Sequence, residues 1–96
     1  MFEGKTMSFN ELSDKTQMLI EKLSAVEHDR WAHWQSYLHS KCKKNDDGSL
    51  TIPKELVERW SAQIETNYSE LSEEEKKSDR EQVMKYLHYI LEFKEQ

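Results

Sequence analysis

Apolar residues recur at three- and four-residue steps along the chain, which is the spacing of one face of an α-helix. The first such stretch covers about residues 11–44, and Trp31 widens its stripe. Its inward positions are Leu19, Leu23, Val26, Arg30, Trp34 and Leu38. The polar run "KKNDDGS" then ends the pattern, and Gly48 supplies a helix-breaking residue. The pattern predicts a long first helix that stops at a turn.

Two further helices are predicted in the second half of the chain. In "LTIPKELVERWSAQIE", Pro53 fits the first turn of a shorter helix, where its missing N–H costs nothing. Ser72 and Glu75 match the capping box S-x-x-E, so a third helix is predicted over about residues 73–93. The inward positions of these two helices are Leu56, Val57, Trp60 and Ile64, and Val83, Leu87, Ile90 and Leu91.

The expected fold is all-α. The sequence shows no strand-like alternation and no internal repeat, and its 96 residues suffice for one domain. We predict a small three-helix domain over residues 11–96, preceded by a flexible N-terminus of residues 1–10.

Composition and charge narrow the possible partners. Only 35% of residues are hydrophobic and 34% are charged, which suits a thin helical domain or one that borrows apolar burial from a partner subunit. A homo-oligomer is therefore expected. The net charge of −5 opposes general binding to DNA or RNA, which depends on neutralising phosphates. No signal peptide is visible and no apolar run approaches the length of a membrane span, so a cytoplasmic protein without membrane attachment is expected.

Catalytic and metal motifs are weak. His39 and Cys42 are three residues apart and resemble half of a zinc site, but no second pair follows at a suitable spacing. Cys42 stands beside lysines that favour a thiolate, yet a lone cysteine at a helix end is more often a bystander. We predict no metal, no cofactor and no enzymatic activity.

The aromatic residues leave two interpretations open. The three tryptophans are Trp31, Trp34 and Trp60, and each has an arginine or histidine nearby in sequence. They could fill the core of a domain that is poor in small apolar residues. Alternatively they could form a flat-ring pocket, in which a base stacks on indole while a cation such as Arg59 meets a phosphate.

Two segments resemble a known family. The pattern Tyr68, Leu71, Ser72, Glu73, Glu75, Lys76, Asp79, Arg80 in "YSELSEEEKKSDREQ" resembles the closing motif of the ryanodine-receptor repeat domain (RyR domain). The segment "AVEHDRWAHW" resembles that family's first helix and its His-x-x-Trp signature, carried here by His28 and Trp31. Receptor repeats have a small hairpin after this helix. Because "KCKKNDDGSLTIPKEL" stands in its place, we expect the hairpin to be reduced or absent.

The resemblance implies a binding function. RyR domains of the channel can bind adenine nucleotides, and small bacterial and phage versions are thought to sense or sequester nucleotide signals. The leading hypothesis is a nucleotide-signal-binding protein, such as a phage counter-defence protein that sequesters a cyclic dinucleotide or an ADP-ribose-derived immune messenger. The alternative is a helical protein–protein interaction module without a small-molecule ligand. The predicted ligand-binding residues are His28, Trp31, Arg59, Trp60, Tyr68, Lys76, Asp79 and Arg80.

Overall fold

Three helices dominate the chain, as the sequence predicts. The computed structural model describes residues 8–95. Helix α1 spans Asp14–Lys41, α2 spans Lys54–Glu65 and α3 spans Glu73–Lys94. Two 3-10 turns, Phe9–Glu11 and Tyr68–Glu70, precede α1 and α3. The predicted flexible segment 1–10 falls largely on residues 1–7, which lie outside the described part.

Side chains at the helix starts explain where the helices begin. Ser13 caps α1, since its Oγ accepts a hydrogen bond from the backbone N–H of Thr16 at 3.2 Å. Pro53 stands one position before α2, at its N-cap, and not inside the first turn. The predicted capping box of α3 is confirmed: Ser72 accepts from the N–H of Glu75, whose carboxylate accepts from the N–H of Ser72.

A short antiparallel hairpin joins α1 to α2. Strand β1, Lys43–Lys44, pairs with β2, Leu50–Thr51. The connecting turn is closed by hydrogen bonds between Asn45 and Ser49, and Gly48 adopts a left-handed φ of 88°. With two residues a strand, the hairpin is too short to show alternation in the sequence.

Helices α1 and α3 lie against each other in opposite directions. Lys15, near the start of α1, places its Nζ 4.6 Å from the ring centre of Phe93 near the end of α3. Further along, the Tyr86 hydroxyl donates a hydrogen bond to Glu27. The face of α3 that meets α1 therefore carries aromatic residues at helical spacing.

Several predicted inward positions are wrong for the isolated chain. No residue of the described range is buried. The positions that remain exposed are Arg30, Trp34, Val57, Ile64, Val83, Ile90 and Leu91. The other predicted inward positions, Leu19, Leu23, Val26, Leu38, Leu56, Trp60 and Leu87, are half-buried. On α3 the reason is that its aromatic face, and not its aliphatic face, contacts α1. In the described part, no helix is long and apolar enough to cross a membrane.

Candidate functional site

An open cleft of about 510 Å³ lies between the three helices. Each helix contributes side chains to it, so the cleft depends on how the helices meet and not on any one segment. The lining residues of α1 are Arg30, His33, Trp34 and Tyr37; those of α2 are Arg59, Trp60 and Gln63; and Leu71, Glu75, Ser78, Asp79 and Gln82 complete the far side.

Aromatic rings form one wall of the cleft. Trp34 of α1 and Trp60 of α2 meet edge to face, with ring centres 5.5 Å apart and planes inclined at 69°. Tyr37 stacks on Trp34 at 5.6 Å. Edge-to-face pairs are a preferred arrangement of aromatic rings and hold them in place. Because Trp34 remains 41% exposed, ring surface is left for a ligand, and Trp34 is not the core residue that the periodicity predicts.

Two arginines border the aromatic wall, and only one of them forms an ion pair within the described chain. Arg30 forms an ion pair with Glu27, and this hydrogen-bonded carboxylate raises the pKa of the Arg30 guanidinium. The Arg59 guanidinium makes no hydrogen bond or ion pair with any described residue. Its positive charge contributes to lowering the pKa of Glu75. Arg59 is therefore the cation of the cleft that is available to an anionic group.

Opposite the aromatic wall, polar side chains tie α2 to α3. Gln63 Nε2 donates to Glu75 Oε2 at 3.0 Å, while the other oxygen of the same carboxylate accepts from Ser72 Oγ at 2.9 Å. The hydrogen bond from Ser72 is the main reason that the pKa of Glu75 is lowered. Glu75 is thus a charged group that holds α2 and α3 together. Asp79, one turn later on α3, lines the cleft without such hydrogen bonds to described residues.

The structure distributes the eight predicted ligand-binding residues over three places. Arg59, Trp60 and Asp79 line the cleft. His28 and Trp31 form a separate stacked pair on α1, with ring centres 6.1 Å apart, and Trp31 is 56% exposed. These two do not line the cleft.

Tyr68, Lys76 and Arg80 form the third group, around Glu73 at the start of α3. Arg80 Nη1 lies 3.5 Å and Lys76 Nζ 3.9 Å from the Glu73 carboxylate. Lys76 Nζ also sits 5.8 Å from the ring centre of Tyr68, and the Tyr68 phenol is the main cause of the raised pKa of Arg80. The cations of this cluster are therefore already paired within the chain.

Sequence reasoning missed part of the cleft. Arg30 and Trp34 were placed on the inward stripe of α1, and Tyr37 and His33 were given no role. The available signal was the same periodicity: Arg30, Trp34 and Tyr37 follow one another at steps of four and three residues, which places them on one side of α1. The stripe does face the other helices, but an open cleft lies between them.

Neither a metal centre nor a relative identifies the chemistry. In the part of the chain that the structure describes, no group of three or more His, Cys, Asp and Glu side chains could hold a metal ion. Comparison with protein-family models, with curated proteins and with solved structures gives no match for this chain. The resemblance to the RyR domain therefore stays a prediction from the motifs.

Proposed function

We propose that the cleft between the three helices binds a nucleotide-derived small molecule. The observation that carries this proposal is the placement of Arg59, whose guanidinium makes no hydrogen bond or ion pair with a described residue, in the same cleft as the edge-to-face pair of Trp34 and Trp60. A base stacks on an exposed indole, and a phosphate accepts two parallel hydrogen bonds from a guanidinium. The polar side chains across the cleft offer hydrogen bonds to a ribose or to a base edge.

The size and character of the cleft support a small ligand over an extended one. Its volume of about 510 Å³ falls within the 300–1,000 Å³ that is usual for small-molecule pockets. The net charge of −5 disfavours binding along a nucleic acid, yet one local cation is enough for a small anion. We propose binding and sequestration and not turnover, as the resemblance to the RyR domain implies.

Isothermal titration with a panel of nucleotides tests the proposal directly. The panel holds ADP-ribose, its cyclic derivatives and cyclic dinucleotides of adenine and guanine. Arg59→Ala is expected to weaken binding about 10- to 100-fold, because a hydrogen bond to a charged group contributes about 1.5–3 kcal/mol. Trp60→Ala should weaken it by a similar factor, since stacking contributes about 1–3 kcal/mol per base.

Two matched variants separate the cleft from the site implied by the resemblance. Arg80→Ala and Trp31→Ala remove the same residue types outside the cleft, at positions that match the RyR motifs. Full affinity in both, with losses in Arg59→Ala and Trp60→Ala, assigns the ligand to the cleft. The reverse pattern would place the ligand on the α1 pair or the Glu73 cluster, and a folded protein that binds no member of the panel would refute the proposal.

The counter-defence role implied by the resemblance is a further prediction. A sequestering protein must hold its messenger unchanged, so incubation should leave the bound nucleotide intact when it is recovered by denaturation and analysed by chromatography. Appearance of a hydrolysis product would instead indicate an enzyme and would contradict simple sequestration.

A second candidate function is a helical protein–protein interaction module. The observation that favours it is the absence of any buried residue between 8 and 95, which leaves large apolar side chains open to a partner. Affinity capture that recovers one partner in equal amount, with or without the nucleotide panel, would support this function. Capture that depends on a nucleotide would instead support nucleotide binding in the cleft.

A further inference from the structure

Helix α3 carries an aliphatic stripe that the other described elements leave largely exposed. Its members are Val83, Met84, Leu87, Ile90 and Leu91, spaced i, i+1, i+4, i+7 and i+8. Val83 and Met84 are each 60% exposed, Leu91 is 49% exposed, and only Leu87 is half-buried. This spacing is that of a helix face selected for burial. Val83, Leu87, Ile90 and Leu91 were predicted to point inward, and of these only Leu87 is half-buried in the described part of the chain.

The stripe lies on a different side of α3 from the face that meets α1. Tyr86, Tyr89 and Phe93 hold the α1 side through contacts with Glu27, Lys22 and Lys15. At about 100° per residue, the centre of the stripe is turned roughly 120° from the centre of that aromatic face. Closer packing of α1 on α3 would therefore not bury the stripe, and a second surface must cover it.

We infer that the stripe is the centre of an isologous dimer interface, in which the α3 helices of two copies of this chain meet. The five stripe residues include no charged side chain, so two identical stripes can face each other without opposing like charges. On the same side of α3, Lys76 and Arg80 pair with Glu73 beyond one end of the stripe, and Lys94 lies one turn beyond its other end. Apolar centre and charged surroundings are the usual anatomy of a protein interface.

The chain exposes more surface than a compact protein of its mass, which is consistent with a second copy covering part of it. The chain exposes 8398 Å², whereas a compact chain of 11.6 kDa exposes about 5,800 Å². Even if the eight residues outside the described range were fully solvated, they would account for at most about 1,400 Å² of the excess. More than about 1,000 Å² of excess remains over the chain as a whole, the stripe included, and each partner of a standard interface buries roughly 800 Å².

This inference gives the interaction-module candidate a definite partner, a second copy, and does not depend on the ligand of the cleft. The molecular mass of the unliganded protein tests the dimer interface, whereas titration calorimetry tests ligand binding in the cleft. One of the two proposals can therefore be refuted without the other. Light scattering after size exclusion should give twice the 11.6 kDa of the monomer. A reductant excludes dimers linked through Cys42.

The decisive variant is Met84→Glu combined with Leu91→Glu. It places two carboxylates in the stripe of each copy, and we expect self-association at least about a hundredfold weaker, because four charges would enter an apolar contact. Val57→Glu with Ile64→Glu is the matched control. It adds the same charges at the same seven-residue spacing, on exposed positions of α2, and should leave the dimer mass unchanged.

Each result supports or overturns the interface. A monomeric wild-type chain at micromolar concentration overturns the inference, including when some other protein is found on the stripe. A stripe variant that stays dimeric, or a control that dissociates equally, overturns the assignment to α3. If the stripe variant fails to fold, the wild-type unfolding temperature decides: it must rise with protein concentration for a dimer, and a constant value overturns the inference.

Discussion

Replacing Ser72 by alanine should destabilise both α3 and one wall of the cleft. Ser72 Oγ accepts the backbone N–H of Glu75 at 3.2 Å and donates to the Glu75 carboxylate at 2.9 Å. The same carboxylate accepts Gln63 Nε2 at 3.0 Å, which ties α2 to α3. Without the hydroxyl, the first turn of α3 loses its cap, and Glu75 loses one of the contacts that fix its position beside the cleft.

The magnitude follows from the chemistry of the cap. Loss of an N-cap serine to alanine costs about 1 kcal/mol, whereas glycine in its place costs only a few tenths. For a chain of about 100 residues, 1 kcal/mol lowers the unfolding temperature by roughly 4–8 °C. We therefore expect the order of unfolding temperatures to be wild type, Ser72→Gly and Ser72→Ala, with Ser72→Thr near wild type because it keeps the hydroxyl.

Circular dichroism at 222 nm during heating measures this series. All four proteins must be compared at one concentration, since the proposed self-association would otherwise shift the transition. An alanine variant as stable as the threonine variant would refute the role of the hydroxyl. A glycine variant less stable than the alanine variant would show that backbone flexibility, and not the cap, controls the start of α3.

The remaining predictions concern pH and the hairpin. The pKa of Glu27 is lowered, first by the hydrogen bond from Arg30 and then by that from Tyr86. The ionised Glu27 carboxylate therefore stabilises the fold fully above its ordinary pKa of 4.5, and this stabilisation is lost as the pH falls through the lower pKa of the folded state. The unfolding temperature of the wild type should therefore fall below about pH 4.5 more steeply than that of Glu27→Gln. Gly48→Ala should cost about 1 kcal/mol through its φ of 88° alone, since no atom lies within 4 Å of an added Cβ. Chemical denaturation measures this cost, and an unchanged or stabilised variant would contradict the strained turn.

Local signals predicted the elements well because the helices are specified locally. The capping box of Ser72 and Glu75, the breaker Gly48 and the start at Pro53 each act within a few residues. All three helices are found, and the end of the third is displaced by only one residue. The hairpin, expected to be reduced or absent, left no alternation in the sequence because each strand has two residues, and hydrogen bonds between Asn45 and Ser49 close its turn.

Periodicity identified apolar faces but not what covers them. Val83 and Leu91 have the spacing of buried positions, and so has Ile64, yet Ile64 is 84% exposed. A spacing of three and four residues says only that one side of a helix is apolar. Whether that side meets another helix, a ligand or another copy depends on the directions in which the helices cross, and those directions are set by contacts distant in sequence.

The cleft was only partly predictable for the same reason. Arg59 and Trp60 were identified from their chemistry and Asp79 from the RyR-like motif, and all three meet in the cleft. Trp31 was favoured over Trp34 by that motif, although only Trp34 contacts Trp60. Which of two tryptophans on one helix meets a ring on another helix depends on the position and crossing of both helices, which the sequence pattern does not specify.

Helix α3 links the two proposals and also keeps them separate. The α3 positions that line the cleft are centred roughly 130° around the helix from the centre of the stripe, and the two sets come nearest at Asp79 and Val83, about 40° apart. A second copy centred on the stripe would therefore approach the cleft only at its Asp79 edge. If the cleft of one chain holds the whole ligand, the monomeric Met84→Glu and Leu91→Glu variant should keep the wild-type affinity. A loss of affinity in that folded monomer would mean that two copies build the site together.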